Sequence, residues 1–481
     1  MTDSFDYLNG YKHQFSTLVD LLRYRSLHQP DRIAYTFLLD GETSSISLTY
    51  QELDEKARAI AAVLQQQGVT GERALLLYPP GLEFIAAFFG CLYAGVVAVP
   101  AYPPKRNHHS NRLQGIVTDA QATIVLTTRS ILSNFDKTLT EKLTLAPLCC
   151  IITDEIDINQ TDDWQPLPID TGTLAFLQYT SGSTGTPKGV MVSHGNLLHN
   201  LFGIHKCFEH TPNSRGVIWL PLYHDMGLIG GVLQPIYGGF PVTLMPPVAF
   251  LQKPIRWLKA ISRYQATTSG GPNFAYEFCV NKIKPEQIAS LDLSSWEVAF
   301  TGAEPVRAET LERFATTFAS CGFRREAFYP CYGMAETTLL IAGGLKTAPP
   351  VVSQVDGSAL EQNQVVPAPG NSEGTRTIIG CGRTWLEEKI AIVEPESLTK
   401  CAASQVGEIW VSGASVAQGY WNQQQKTQQT FHGYLADTGE GPFLRTGDLG
   451  FVHNGELFVT GRLKDLIIIR GRNHYPQDIE L

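Results

Sequence analysis

Short, almost continuously apolar stretches recur between helix-length segments in the first third of this chain, and they constrain its fold more than any other feature. RALLLY (73–78), VVAV (96–99), ATIVLTT (122–128) and CCIIT (149–153) show no polar–apolar alternation. A strand with one wet face alternates; a strand covered on both faces does not. Between the runs, Leu53, Ala57, Ile60, Ala61 and Leu64 fall on one face of a helix that ends at Gly68. A second helix begins near Leu82, and RALLLY is stopped by Pro79-Pro80. Strand–helix repetition of this kind predicts an α/β fold of parallel sheets covered on both faces.

The longest apolar stretch, FIAAFFGCLYAGVVAV, carries two glycines and stops at Pro100. It is too short and broken for a membrane span, so it reads as a buried helix followed by a strand. With 481 residues, 43% of them hydrophobic and 17% charged, the chain exceeds one ordinary domain. The middle, 171–345, repeats the α/β style with more glycine-rich turns. Residues 346–377 are rich in Pro, Gln, Ser and Gly and read as an inserted surface element, part loop and part short strand. From 405 on, VGEIWVSG, GELFVTG and DLIIIRG alternate with Gly turns, which predicts a smaller β-rich lobe.

The net charge of −9, with no basic stripe, excludes a nucleic-acid partner from the expectation. Nine scattered cysteines without a CxxC pair argue against a disulfide framework or zinc site and for a reducing compartment, the cytoplasm. The polar, acidic start MTDSFDYLNG is not a signal peptide. The chain stops at Leu481, directly after GRNHYPQDIE, and reads as cut before a further domain.

One loop carries chemistry on its face. QYTSGSTGTPKGVMVSH (178–194) almost spells a P-loop, but counting from Gly182 puts Pro187 at the second Gly and Gly189 at the Mg²⁺-binding hydroxyl. Thr180, Ser181, Ser183, Thr184 and Thr186 supply hydroxyls, Gly182 and Gly185 let the backbone bend around an anion, and Lys188 adds a point charge. Such a loop suits the outer phosphates of a nucleotide that leave together as pyrophosphate.

YTSGSTGTPKG, YGMAET (332–337), RTGDLG (445–450) and GRLKDLIIIRG (461–471) occur in that order. Together they resemble the adenylate-forming superfamily of acyl-CoA synthetases, luciferases and peptide-synthetase adenylation domains, over roughly residues 15–481. The resemblance implies a large N-terminal AMP-binding domain, 1–460. Within it lie two αβαβα-type subdomains (about 15–170 and 171–400, the latter with the 346–377 insertion) and a β-rich lobe at 401–460. Residues 461–481 would be a hinge and the start of a C-terminal domain, missing here. Relatives place a catalytic lysine in that domain, so restoring it is expected to raise adenylation.

The implied reaction has two steps. A carboxylate attacks the α-phosphate of ATP, pyrophosphate leaves, and a thiol then attacks the acyl-adenylate. By resemblance, Lys188 and the loop residues Thr180, Ser181, Gly182, Ser183, Thr184 and Gly185 hold the β- and γ-phosphates. Glu336 of YGMAET is the Mg²⁺ ligand. Tyr332 stacks on adenine beside Gly333, Met334 and Ala335, with Gly302, Ala303 and Glu304 of FTGAEPV on the other side. Asp448 accepts from both ribose hydroxyls, Arg462 adds a contact near ribose and phosphate, and Lys464 is the hinge.

Three features narrow the family. LPLYHDMGLIGGVLQPIYGG (220–239) has His224-Asp225-Met226-Gly227 where amino-acid-activating relatives carry FDxS. Aligning Tyr223 with that Phe puts His224 in place of the ammonium-binding Asp, so an uncharged acyl chain fits better. Met226, Leu228, Ile229, Val232, Phe274 and Tyr276 offer it an apolar wall. His224 and Asp225 have three open roles: gating the acyl tunnel, contacting the adenylate, or bonding to each other. Second, GRNHYPQDIE and VAQGYWN look like fatty acyl-AMP ligases. Third, Tyr332 and Gly382 are farther apart than a CoA ligase needs, and 346–377 supplies the excess. Fatty acyl-AMP ligases carry an insertion here, which implies transfer to the phosphopantetheine arm of an acyl carrier protein, feeding a polyketide- or peptide-synthase module. The rivals are a medium- or long-chain acyl-CoA synthetase and an adenylate-binding protein inactive without its C-terminal domain. Intact Lys188, Glu336 and Asp448 argue against the second rival.

Overall fold

A computed structural model describes residues 15–103, 111–133, 148–180, 187–368, 370, 372, 374–465, 467–469 and 472–474. The chain divides into two compact units. The first holds Met1–His205, His210–Trp257 and Ala417–Gln424; the second holds Lys206–Glu209, Leu258–Val416 and Gln425–Leu481. No helix among the described residues is long and apolar enough to cross a membrane.

The first unit contains strands β1 (Ile33–Leu38), β2 (Ser45–Thr49), β3 (Arg73–Leu77), β4 (Val97–Ala101), β5 (Ile124–Thr127), β6 (Cys149–Ile152), β7 (Leu174–Thr180), β8 (Lys188–Ser193), β9 (Gly216–Ile218) and β10 (Val242–Leu244). One sheet runs β6-β5-β3-β4-β7-β8, parallel until β8 reverses. The four apolar runs of the sequence are β3 to β6. Leu75, Leu77, Val99, Leu113, Ile116, Leu177 and Tyr179 share one of its cores, as expected of strands covered by helices. The expected subdomain boundary near 170 divides this sheet, because β7 and β8 complete it. Strand β4 runs through Pro100, opposite Leu76 of β3. The ladder tolerates it because on the other side β4 meets β7 only at Ala98↔Phe176, so the missing N–H breaks no pairing. In the same unit β10 lies parallel to β9 and β1, and β2 turns back antiparallel on β1.

The helix Tyr50–Gln66 shows how local chemistry sets an element. Thr49 accepts from Glu52 N at 3.2 Å while the Glu52 carboxylate accepts from Thr49 N at 2.8 Å, a capping box worth about 1 kcal/mol. Gly68, at φ +68°, takes the left-handed turn that ends it. The helix Leu82–Tyr93 crosses it closely; a Cβ on Gly90 would come within 2.5 Å of Ile60 Cγ2.

The second unit contains β11 (Thr268–Gly270), β12 (Val298–Thr301), β13 (Phe328–Gly333), β14 (Leu340–Gly343), β15 (Val352–Asp356), β16 (Thr375–Ile379), β17 (Arg383–Thr384), β18 (Lys389–Val393), β19 (Gly407–Ser412), β20 (Leu444–His453) and β21 (Glu456–Arg462). Strands β11, β12 and β13 are parallel neighbours; β14 and β17 continue antiparallel. Tyr276, Trp296, Phe314 and Phe328 form an edge-to-face aromatic core in this unit. Strands β18 to β21 form an antiparallel meander, the β-rich lobe.

Among the described residues of 346–377 the expected short strands are present, and part of the segment is buried. Strands β15 and β16 pair antiparallel around a short helix, Gly357–Leu360, whose N-terminus Asp356 caps through Ala359 N at 2.7 Å. Val355, Leu360 and Val365 bury against Val406, Leu449, Phe451 and Phe458 of the meander. Backbone bonds Val365 N→Ser404 O (2.8 Å) and Val406 N→Asn363 O (3.0 Å) fasten the segment there.

Candidate active site

The phosphate-loop motif is flanked by a ladder pair. Thr180 ends β7, Lys188 begins β8, and the two are register partners. A Walker loop leads from strand to helix; here the chain leaves and returns through antiparallel strands. Ser181, Gly182, Ser183, Thr184, Gly185 and Thr186 lie outside the described residues. Lys188 Nζ stands 4.8 Å from the ring centroid of Tyr420. Beside it the Tyr179 ring sits where Gly189 leaves room: a Cβ there would meet Tyr179 Cζ at 2.8 Å. Tyr179 donates its hydroxyl to Asp119 Oδ2 at 2.6 Å, and burial first, then Asp119, pushes its ionisation far up.

His224 and Asp225 follow β9 on a turn. Of the roles left open for them, bonding to each other is present: His224 Nδ1 lies 2.6 Å from Asp225 Oδ1. The same oxygen accepts from Met226 N at 2.6 Å. The bond to Asp225 raises the exposed His224 above its ordinary pKa, against partial desolvation and the nearby Arg112 guanidinium. Gln178 Nε2 donates to Tyr223 O at 3.1 Å and ties this turn to β7.

From Met226 to Leu233 the backbone forms a π-helix, a form common at functional sites. Its glycines allow the wide turn. A Cβ on Gly227 would fall 2.0 Å from Pro221 O. Leu228, Ile229 and Val232 are fully buried, while Met226 is half-buried.

In the second unit, Gly302, Ala303 and Glu304 follow β12. A Cβ on Gly302 would meet Cys331 O at 2.8 Å, and Ala303 adopts φ +65°, a strained region for a residue with a side chain. Glu304 Oε1 accepts from Phe274 N at 2.6 Å, at the start of the helix Asn273–Lys282, where a carboxylate suits the helix dipole. Phe274 is exposed. Tyr276 is fully buried in the aromatic core of this unit and donates to Phe300 O at 2.8 Å.

Tyr332 lies on β13, with Gly333, Met334, Ala335 and Glu336 directly after it. The segment is tightly wound. A Cβ on Gly333 would sit 1.8 Å from Leu339 O, and Thr338 holds φ 69°, ψ −64°, the rare γ-turn geometry. Tyr332 donates its hydroxyl to Asp448 Oδ2 at 2.7 Å, and Arg462 Nε donates to Asp448 Oδ1 at 2.8 Å. Asp448 on β20 and Arg462 on β21 are register partners. Burial, then the Asp448 charge, pushes the Tyr332 hydroxyl far above its usual pKa, and the same carboxylate raises that of Arg462. Lys464 is exposed two residues on.

Glu336 is buried. No group of three or more metal-ligating side chains occurs among the described residues. A buried carboxylate fits Mg²⁺, which takes one or two protein carboxylates and shares the rest of its shell with water and substrate phosphates.

Sequence reasoning assigned no role to Tyr420, Asp119, Tyr179 or Arg112. Tyr420 stood in the VAQGYWN stretch, but its partner Lys188 is over two hundred residues away in the chain, and no periodicity links them.

The family model for AMP-binding enzymes matches residues 22–421. The medium-chain-fatty-acid–[acyl-carrier-protein] ligase JamA of Moorena producens is 53% identical over 476 residues, covering 98% of this chain and 80% of that protein. The ligase of the same description from Teredinibacter turnerae, TtuA, is 38% identical, covering 96% of this chain and 79% of that protein. The crystal structure of fatty acyl-adenylate ligase from L. pneumophila, in complex with acyl adenylate and pyrophosphate, superposes with a TM-score of 0.90 at 48% identity, covering 98% and 81%.

Proposed function

The chain belongs to the AMP-binding enzyme family, and from that premise we propose that it activates a fatty acid with ATP for transfer to an acyl carrier protein. A carboxylate oxygen attacks the α-phosphorus, the bond to the β-phosphate oxygen breaks, and pyrophosphate leaves. The phosphopantetheine thiol then loses its proton and attacks the acyl carbon, and AMP departs. The carrier itself, or a polyketide- or peptide-synthase module downstream, receives the thioester.

Tyr332 and Arg462 orient Asp448, whose remaining lone pairs accept the ribose hydroxyls. Lys188 and the loop from Thr180 bind the phosphates that leave. Glu336 would hold Mg²⁺, and the ion would supply charge neutralisation. Leu228, Ile229 and Val232, with Met226, offer the acyl chain an apolar wall. Nine free cysteines fit a reducing compartment, the cytoplasm.

The observation that carries the reading is the match, over nearly the whole chain, to a ligase named for fatty acid and carrier protein. His224, standing where an ammonium-binding carboxylate would be, supports an uncharged acyl substrate. The fastened 346–377 segment supports a carrier protein over CoA as acceptor.

Mass spectrometry of reactions with ATP, Mg²⁺ and a fatty-acid series, with CoA or with phosphopantetheinylated carrier protein, tests this. Acyl-AMP that accumulates with CoA and is consumed by carrier protein is expected. Acyl-CoA formation would make the protein a CoA synthetase. Each added methylene that enters an apolar tunnel gains about 0.8 kcal/mol, roughly fourfold in use, until the tunnel ends. A flat chain-length profile would sink the apolar wall.

A further inference from the structure

We infer that Tyr420 is a positioning residue for the phosphate-binding lysine, its ring holding the Lys188 ammonium in place before nucleotide arrives. This rests on the reading of Lys188 as a ligand of the β- and γ-phosphates.

The geometry is specific. Lys188 Nζ lies 4.8 Å from the Tyr420 ring centroid, inside the range where a ring quadrupole attracts an ammonium. Lys188 is the first residue of β8 and the register partner of Thr180, the last residue of β7. A lysine on a four-carbon stem is a poor preorganised ligand, because placing it costs rotamer entropy. A fixed aromatic face beside it removes part of that cost in advance.

The ring is fixed. Tyr420 is 4% exposed. Its segment, Ala417–Gln424, belongs to the first unit although the chain on both sides belongs to the second. It runs along β8 as an added strand: Gln418 N→Met191 O (3.0 Å), Met191 N→Gly419 O (2.9 Å) and Trp421 N→Gly189 O (2.8 Å), with a bridge pairing Val190 and Tyr420. Beyond Tyr420, Gln423 Nε2 donates to Asp119 Oδ1 at 3.3 Å. Asp119 also accepts from Tyr179, the β7 residue before Thr180. Both strands flanking the loop are therefore tied to the element that carries the ring.

Isothermal titration of MgATP, magnesium pyrophosphate and AMP tests the assignment. AMP lacks the outer phosphates, so a positioning role and a folding role separate. Tyr420→Leu, and 3,4,5-trifluorophenylalanine at position 420, should raise the Kd of MgATP and pyrophosphate about tenfold. AMP should stay within about twofold, and Tyr420→Phe should bind all three like the parent protein. The trifluorinated ring keeps the shape and loses the quadrupole, so misfolding cannot imitate its effect. In a Lys188→Ala background the leucine substitution should add nothing. Equal MgATP affinity for the phenylalanine and trifluorinated rings overturns the inference, as does parallel weakening of AMP. Undiminished MgATP binding by Lys188→Ala overturns the reading of Lys188, and the inference with it. A weakened Lys188→Ala beside a silent Tyr420→Leu overturns the inference alone.

Discussion

The Tyr332 hydroxyl donates to Asp448 Oδ2 over 2.7 Å, joining β13 to β20 across 116 positions of the chain. Arg462 Nε occupies the other carboxylate oxygen. The candidate ribose acceptor is thus oriented from both sides within the second unit.

Tyr332→Phe removes one of these bonds while keeping the ring. A hydrogen bond to a charged group contributes about 1.5–3 kcal/mol, so denaturant titration should show a loss of that order. AMP affinity should fall as Asp448 gains rotational freedom. Unchanged stability and AMP binding would mean that the bond positions nothing.

His224 titrates against Asp225. Because folding raises its pKa, the imidazolium's interaction is fully present below the ordinary value of 6.5 and is lost as pH rises through the raised one. Asp225→Asn removes the largest cause. An NMR titration of His224 should then move to lower pH. A midpoint that stays in place would show that Asp225 does not set it.

His194 runs the other way. Its Nδ1 accepts from Leu18 N at 3.2 Å in a buried site, and burial lowers its pKa from 6.5 to about 4. The unfolded chain binds the proton first, so stability is present above 6.5 and is lost as pH falls toward 4. The lowering corresponds to about 3 kcal/mol. Denaturation midpoints at pH 7 and pH 4.5 should differ strongly in the parent protein and less in His194→Gln. Equal pH dependence in both would remove His194 as the cause.

The 346–377 segment should behave as core on one side only. Leu360 is 2% exposed within the cluster that includes Phe451 and Phe458, whereas Val366 is 47% exposed. Leu360→Ala should cost about 2–5 kcal/mol and Val366→Ala under about 0.5 kcal/mol, read as shifts in denaturant midpoint. Similar shifts for both would mean that the segment does not pack as described.

Much of this was legible in the chain itself. The apolar runs 73–78, 96–99 and 122–128 became β3 to β5 because strands buried on both faces cannot carry polar residues; 149–153 became β6, the edge strand, where Cys149 and Cys150 are exposed. Gly68 ended its helix because the left-handed turn there favours a residue without Cβ. In the 346–377 segment the expected short strands are β15 and β16, while its buried side was not legible. Its composition is that of a loop, and Val355, Leu360 and Val365 become core only once the meander supplies the other wall.

By itself the sequence determined the α/β class, the strands β3 to β6, the order of the motifs and the chemistry each could offer, since periodicity, hydroxyls and charges are local properties. Only the tertiary structure decided which of those groups meet. Asp448 finds Tyr332, and Lys188 finds Tyr420, because register and sheet order bring distant positions together. Such pairings are set by the packing of whole elements, so no local stretch of chain encodes them.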